Sequence, residues 1–189
     1  MPAVSTNDLK NGMTLNLSEG LFSVVEFQHV KPGKGGAFVR TKLKNVRSGA
    51  VLERTYRADE KLDQALIDKR EMQYLYPDGD ALVFMDTGDY EQINAPRGAL
   101  GAAAGYLKEG DSAVLQIFDG EIVGVELPAA VELEVTETEP GLQGDRVSGA
   151  RKPATLETGL QVQVPLFVGV GDRVKVDTRS GEYLTRASS

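Results

Sequence analysis

Apolar positions along the chain alternate with polar ones or gather in short runs, and Gly, Asp, Asn and Pro break them every few residues. That pattern predicts many short β-strands rather than helices. After the turn Lys10-Asn11-Gly12, Met13, Leu15 and Leu17 alternate with polar neighbours, and Glu19-Gly20 marks a reversal. Residues 21–30 read as a returning strand, 31–36 as a loop and 37–45 as the next strand; Arg47-Ser48-Gly49 turns the chain into residues 50–56. About five strands in roughly 60 residues predict a small barrel of SH3-like size.

A second cycle opens near Gln64, with strands at 72–76 and 81–85 around the turn Pro77-Asp78-Gly79. Residues 96–108 form the best helix candidate, with Pro just inside the start, several Ala residues and Glu109-Gly110 at the end. Residues 114–118 and 122–127 flank Asp119-Gly120, a two-residue hairpin signal, and Pro128 marks a boundary. The third cycle has strands at 131–135, 160–164 and 173–177 and a short one at Tyr183; residues 139–153 look too irregular for either element. Five-stranded barrels of this length fit the OB-fold. The chain is thus read as mainly β, three small barrels in tandem over residues 1–64, 65–128 and 129–189.

Composition removes most enzyme classes. With no cysteine and one histidine, His29, there is no material for disulfides, thiol nucleophiles, Cys-based zinc sites or iron–sulfur clusters. A serine triad would need His29, which precedes a Pro/Gly loop with no nucleophile elbow near it, and no GxxxxGK[ST] phosphate loop is present. The reading is a non-enzyme without metal or cofactor. No apolar run reaches the roughly 20 residues that cross a bilayer, and the polar start of the chain lacks a secretory signal, so a cytoplasmic protein away from membranes is expected.

The net charge of −7 is unevenly spread. Residues 1–62 hold ten Lys/Arg against six Asp/Glu, residues 63–128 four against thirteen, and residues 129–189 seven against nine. Between positions 31 and 57 eight cations face the single anion Glu53. A basic region on an acidic body can grip phosphate locally while the remainder avoids non-specific RNA. It opens with Lys31-Pro32-Gly33-Lys34-Gly35-Gly36: Pro32 fixes one backbone angle, Gly33, Gly35 and Gly36 allow positive φ, and Lys34 at the apex carries the functional atoms. Along the following strand Phe38, Arg40, Lys42 and Lys44 share one face and Ala37, Val39, Thr41 and Leu43 the other. A cationic ladder beside an aromatic and a projecting lysine is what tracking an RNA backbone requires. A solvated turn followed by a solvated strand face is the plainer alternative, which these residues alone leave open.

Longer stretches carry a family likeness. FQHVKPGKGGAFVRTKLKN at 27–45, QYLYPDGDALVFMD at 73–86, YEQ at 90–92, TEPGLQGDRVSGARKPATLETGLQVQVPLFV at 138–168 and GDRVKVDTRSGEYLTR at 171–186 together resemble bacterial elongation factor P, in order across all three segments. The resemblance implies an N-terminal SH3-like (KOW-like) domain and two OB-folds in an elongated, tRNA-like shape. It implies a translation factor that binds the ribosome beside the peptidyl-tRNA, contacts ribosomal RNA and exit-site mRNA, and relieves stalling at consecutive prolines. Lys34 would reach the acceptor end of the peptidyl-tRNA, with Arg40, Lys42 and Lys44 on the tRNA backbone. Gly144, Asp145 and Arg146 fall where the family has a loop near the exit-site codon, and Tyr183 and Arg186 match positions tied to RNA contact. Arg146 stands where the family commonly has Thr, a guanidinium in place of a hydroxyl. Family members often modify the tip residue; Lys34 is compatible with amine extension by a separate lysine-modifying enzyme, or with none.

Two other readings compete. The elongation factor P-like paralogue shares the architecture, but its tip region usually differs from the intact KPGKGG found here. A general OB-fold single-strand RNA-binding protein calls for aromatic stacking platforms, whereas aromatics are 6% of the chain and tryptophan is absent.

Overall fold

The computed structural model describes residues 2–141 and 149–187. Its strands form three antiparallel sheets, one of six strands and two of five, and among the described residues helix is limited to a 3-10 turn at Thr6–Asp8 and a short central segment. By packing, the chain divides into two compact units, residues 1–70 with 116–124 and residues 71–115 with 125–189.

The first sheet contains β1 (Ala3–Ser5), β2 (Thr14–Leu17), β3 (Gly20–Val30), β4 (Phe38–Asn45), β5 (Val51–Arg57) and β6 (Lys61–Ala65), in the order β1-β6-β2-β3-β4-β5. Strand β6 carries this sheet to Ala65, past the point near Gln64 where the sequence pattern suggested a new cycle. The two-residue period sorts the side chains. Leu15, Phe22, Val24, Val39 and Leu43 point inward and join Val4 and Leu9 in one core. Burying such side chains contributes roughly 1.5–3 kcal/mol each. At the sheet's rim Arg54 pairs with Glu19, and this hydrogen-bonded guanidinium, helped by the Ser18 hydroxyl, lowers the Glu19 carboxyl from 4.5 to about 2.

The second sheet contains β7 (Asp68–Asp78), β8 (Ala81–Asp86), β9 (Gln92–Pro96), β10 (Ser112–Phe118) and β11 (Glu121–Glu126), ordered β11-β10-β7-β8-β9. Strand β7 runs through Pro77 and Asp78, leaving the reversal to Gly79 and Asp80. Leu82, Val83 and Phe84 are buried in succession, the mark of a strand covered on both faces. Asp119 and Gly120 both have positive φ, +53° and +76°, as the expected type I′ hairpin demands.

The helix expected over 96–108 forms only in part. Pro96 ends β9, one α-turn, α1 (Arg97–Leu100), follows, and residues Gly101–Tyr106 tighten into a 3-10 helix. Gly101 breaks the α-helix by adopting φ +58° and ψ −137°, backbone angles almost confined to glycine. Tyr106 at the end of this segment is buried in the core of the third sheet. The Thr158 hydroxyl donates to the Gly105 carbonyl beside it, and Lys108 lies 3.9 Å from Glu157.

That third sheet contains β12 (Ala130–Thr138), β13 (Arg151–Leu156), β14 (Gln161–Pro165), β15 (Arg173–Asp177) and β16 (Tyr183–Arg186), ordered β14-β13-β12-β15-β16. Strand β13 includes Arg151, Lys152 and Pro153, which by sequence looked irregular. Pro153 is accommodated in the ladder opposite Gln163, and buried Lys152 donates its ammonium to the Glu139 carbonyl.

Three turns share one device: a short acid or amide side chain accepts backbone N–H groups two and three residues on. Asn45 accepts from Arg47 and Ser48, Asp86 from Gly88 and Asp89, and Asp177 from Arg179 and Ser180. Each turn closes on a residue of positive φ, Gly49, Tyr90 and Gly181 respectively; Tyr90 adopts φ +64° without a glycine's freedom.

Two measurements test this architecture. A carboxyl whose folded pKa is depressed contributes stability above its unfolded value and loses it as pH falls through the folded value. Glu19→Gln should therefore lower stability modestly at neutral pH, and its difference from the native protein should shrink to nothing as pH falls from 4.5 to about 2. In urea unfolding of the full chain, Tyr106→Ala should cost about 3 kcal/mol or more, as removal of a buried aromatic ring does, while Tyr106→Phe, which keeps the ring, should cost far less.

Candidate functional site

The basic loop is set by the register of its flanking strands. Val30 of β3 pairs with Phe38 of β4, so residues 31–37 form the whole connection, and every one of them is exposed. Lys31, Pro32, Gly33, Lys34, Gly35 and Gly36 thus stand clear of the barrel wall. Of the three glycines only Gly35 has positive φ, at +101°. A Cβ added at Gly33, Gly35 or Gly36 would meet nothing within 4 Å. Backbone angle therefore restricts the Gly35 position, and nothing within this chain crowds Gly33 or Gly36.

Strand β4 alternates strictly after Phe38: Val39, Thr41 and Leu43 are buried, Arg40 and Lys44 exposed, and Lys42 half-buried. The one polar side chain in the inward row, Thr41, donates its hydroxyl to the Arg54 carbonyl at 2.6 Å. Arg40, Lys42 and Lys44 accordingly share the outer face with Phe38, and the Arg40 guanidinium lies 6.0 Å from the Phe38 ring centroid, at the outer limit of cation–π contact. Ala37, exposed, belongs to the loop rather than to the inward row.

Cross-strand partners alter the electrostatics of that face. Arg40 stands opposite Gln28 on β3 and Thr55 on β5, both neutral. Lys42 stands between Glu26 and Glu53. A surface cleft of about 140 Å³ is lined by these side chains, Thr55 excepted, together with Phe27 and Thr41. The row of cations is therefore uneven: Arg40 has no acid directly opposite it, whereas two acids flank Lys42.

The remaining expected residues belong to other segments. Tyr183 pairs with Val176 and packs, half-buried, against the third core. Arg186 pairs with Val174 and its guanidinium lies 3.8 Å from the Asp172 carboxylate and 5.3 Å from the Phe167 ring centroid. Phe167 escaped the sequence reading because a single phenylalanine in a turn has no periodicity to mark it. Gly144, Asp145 and Arg146 lie outside the described residues. The Lys34 loop belongs to the first compact unit, Tyr183 and Arg186 to the second. Among the described residues no group of three or more His, Cys, Asp or Glu is placed to hold a metal ion, and no helix is long and apolar enough to cross a membrane.

Comparison with known proteins accounts for nearly the whole chain. Three family profiles match in succession: the elongation factor P KOW-like domain at residues 5–62, the elongation factor P OB domain at 67–125, and the elongation factor P C-terminal domain at 131–186. An elongation factor P of Acidothermus cellulolyticus is 61% identical over 185 residues, covering 98% of this chain and 99% of the relative. One of Streptomyces avermitilis is 59% identical over 186 residues with the same coverage. Among solved structures, translation initiation factor 5A from Methanococcus jannaschii superposes with a TM-score of 0.53 at 24% identity, over 64% of this chain and 90% of its own. That likeness concerns fold alone.

The charge geometry of β4 gives a direct test on the binding of a single-stranded RNA oligomer or purified ribosomes. Arg40→Ala should weaken binding and reduce the slope of log affinity against log salt by about one. Glu53→Gln should tighten binding by releasing Lys42. Weaker binding by Glu53→Gln would mean that the acids present Lys42 rather than mask it.

Proposed function

Because the chain belongs to the elongation factor P family and is by that membership a translation elongation factor, we propose that it binds the ribosome beside the peptidyl-tRNA and speeds peptide-bond formation at consecutive prolines. The observation that carries this reading is the placement of Lys34: on a fully exposed seven-residue connection, held by the long β3–β4 hairpin, with Arg40 outward on the adjoining strand. A side chain so displayed can enter a crowded RNA site while the barrel stays outside it.

The chemistry needs no catalytic residue on this chain. A prolyl nitrogen is a poor acceptor because its ring restricts the approach to the carbonyl carbon, so geometry limits the rate. The Lys34 ammonium donates hydrogen bonds to phosphate or ribose oxygens at the acceptor end of the peptidyl-tRNA and restrains it. Arg40, with Lys44, holds the tRNA backbone and so fixes the distance from which Lys34 reaches. Restraint of this kind lowers the entropic part of the barrier, which in ideal cases amounts to about 7–11 kcal/mol. A tenfold acceleration needs only about 1.4 kcal/mol of it. Bond formation remains with the ribosome.

The same reading assigns ribosomal RNA as partner of the Tyr183–Arg186 strand, exit-site mRNA as partner of Gly144, Asp145 and Arg146, and the cytoplasm as the place of action. Extension of the Lys34 amine by a separate enzyme would lengthen the reach of the donor without changing its role.

Synthesis of a Pro-Pro-Pro reporter on purified ribosomes tests the proposal. The protein should raise the rate about tenfold or more over ribosomes alone, and Lys34→Ala should remove most of that gain while melting at the unaltered temperature. Full activity of Lys34→Ala would sink the assignment of the tip. No stimulation, even with protein isolated from its own source and so carrying any native modification, would sink the function.

A further inference from the structure

We propose that Phe167 is a base-stacking residue: with Arg186 it forms an exposed aromatic–guanidinium platform that takes one unpaired RNA nucleotide. The inference rests on the ribosome-binding reading above, which already places RNA at Arg186, and adds to it a residue, Phe167, and a mode of contact, stacking on one base.

Phe167 sits at a corner of a tight turn. The Val168 N–H donates to the Pro165 carbonyl at 3.2 Å, which leaves Leu166 and Phe167 as the two central residues. Both ends of the turn are anchored: Pro165 pairs with Arg151, and Val164 and Val168 are buried in the third core. Leu166 packs so closely on Gly141 that a Cβ there would stand 2.7 Å from the Leu166 carbonyl oxygen. Turn corners usually carry Gly, Asn, Asp or Ser. Here the fixed backbone displays a phenyl ring that is 63% exposed.

One exposed apolar side chain signifies nothing by itself. What distinguishes this ring is the cation held against it. The Arg186 guanidinium lies 5.3 Å from the ring centroid and 3.8 Å from the Asp172 carboxylate. Asp172 is in turn fixed, since its carboxylate accepts from the Gly169 N–H at 2.9 Å and its own N–H donates to the Gly169 carbonyl at 3.2 Å. The ring stands on an anchored turn and the guanidinium meets it before any ligand arrives, which reduces the ordering cost of binding.

The ligand class follows from charge. Val170 and Leu184 are exposed nearby in sequence, so an apolar protein surface is the natural rival. Burying Arg186 beneath such a surface would remove a cation from water with one acid, 3.8 Å away, to balance it. A nucleotide instead brings a π-face for the ring or the guanidinium plane and a phosphate for the remaining N–H donors. A base of any identity would serve, because every base can stack.

The test uses the full chain and purified ribosomes, with affinity and chemical footprinting of RNA as readouts. Phe167→Ala should bind about tenfold more weakly, the loss of one stacked base, and lose protection of at least one unpaired nucleotide. Phe167→Trp should retain both, and Arg186→Lys, which keeps the charge but loses the plane, should fall between them. Melting temperatures of the Phe167 variants should match the native protein, since the ring is outside the core. A penalty seen on ribosomes without message assigns the base to ribosomal RNA; one that appears only with message assigns it to mRNA, and either supports the platform. Native affinity and footprint for Phe167→Ala, with Lys34→Ala still defective in Pro-Pro-Pro synthesis, would overturn the platform and leave the proposed function standing. A photo-crosslinker at position 167 that captures ribosomal protein in place of RNA would overturn it equally. If the native protein neither binds ribosomes nor stimulates synthesis, both readings fall together.

Discussion

The antiparallel pairing of β3 with β4 is the constraint on which the displayed lysine depends. Side chains on a strand alternate with a period of two, so a slip of one residue would send Arg40, Lys42 and Lys44 inward and Val39, Thr41 and Leu43 into water. Burial of Val39 and Leu43 makes that slip costly, and the Thr41 hydroxyl bond to Arg54 gives the one polar member of the inward row a partner. On β3 a bulge between Val24 and Glu26 inserts Val25, which is exposed, without disturbing the pairing on either side. Beyond it the ladder continues to Val30 and Phe38, so the length of the exposed connection is decided by the core packing below it.

The same register decides what the cations can do. Counting residues along the chain makes positions 31–57 look almost uniformly basic, because Glu26 lies just outside that window and Glu53 is outnumbered. Folding brings both acids to Lys42, on neighbouring strands, while Arg40 is left between Gln28 and Thr55. Charges separated by less than a Debye length of about 10 Å act on one another strongly, so a strand's electrostatic character belongs to the sheet and not to its own sequence. On the proposed reading Arg40, with no acid directly opposite it, is consequently the stronger anchor for a phosphate.

Most of the strand order was legible because it rests on local signals. The alternation in 38–45, the Asp119-Gly120 hairpin and the strand at 173–177 all follow from two-residue periodicity and turn chemistry. The failures are equally physical. Residues 96–108 carry the Pro and Ala residues of a helix, but Gly101 takes backbone angles no α-helix allows, and the segment finishes in 3-10 form. Residues 151–153 look like loop because Pro153 and a lysine precede the apolar run, yet Lys152 is buried and satisfied by the Glu139 backbone carbonyl, a partner that periodicity does not mark. Strand β9 went unread although Gln92, Ile93, Asn94 and Ala95 alternate, because it is short and its last residue, Pro96, reads as the start of a helix. The loop lysine and its strand were legible from motif and spacing, whereas the effect of Glu26 and Glu53 and the meeting of Phe167 with Arg186 arise only from pairing between distant segments.

Tyr106 and Phe167 show how one residue class takes opposite roles according to what its backbone can reach. Tyr106 ends a 3-10 turn that delivers its ring into the core of Leu133, Val135, Val164 and Val174, where the ring stabilises by excluding water. Phe167 is only three residues beyond Val164, but the Pro165–Val168 hydrogen bond reverses the chain before the ring can enter, and Val168 takes the inward place instead. The core is filled without Phe167, so its ring contributes little to folding and is left open to a ligand outside. Arg186, beside both the ring and Asp172, supplies the charge that on the proposed reading suits that surface to a nucleotide rather than to another apolar chain.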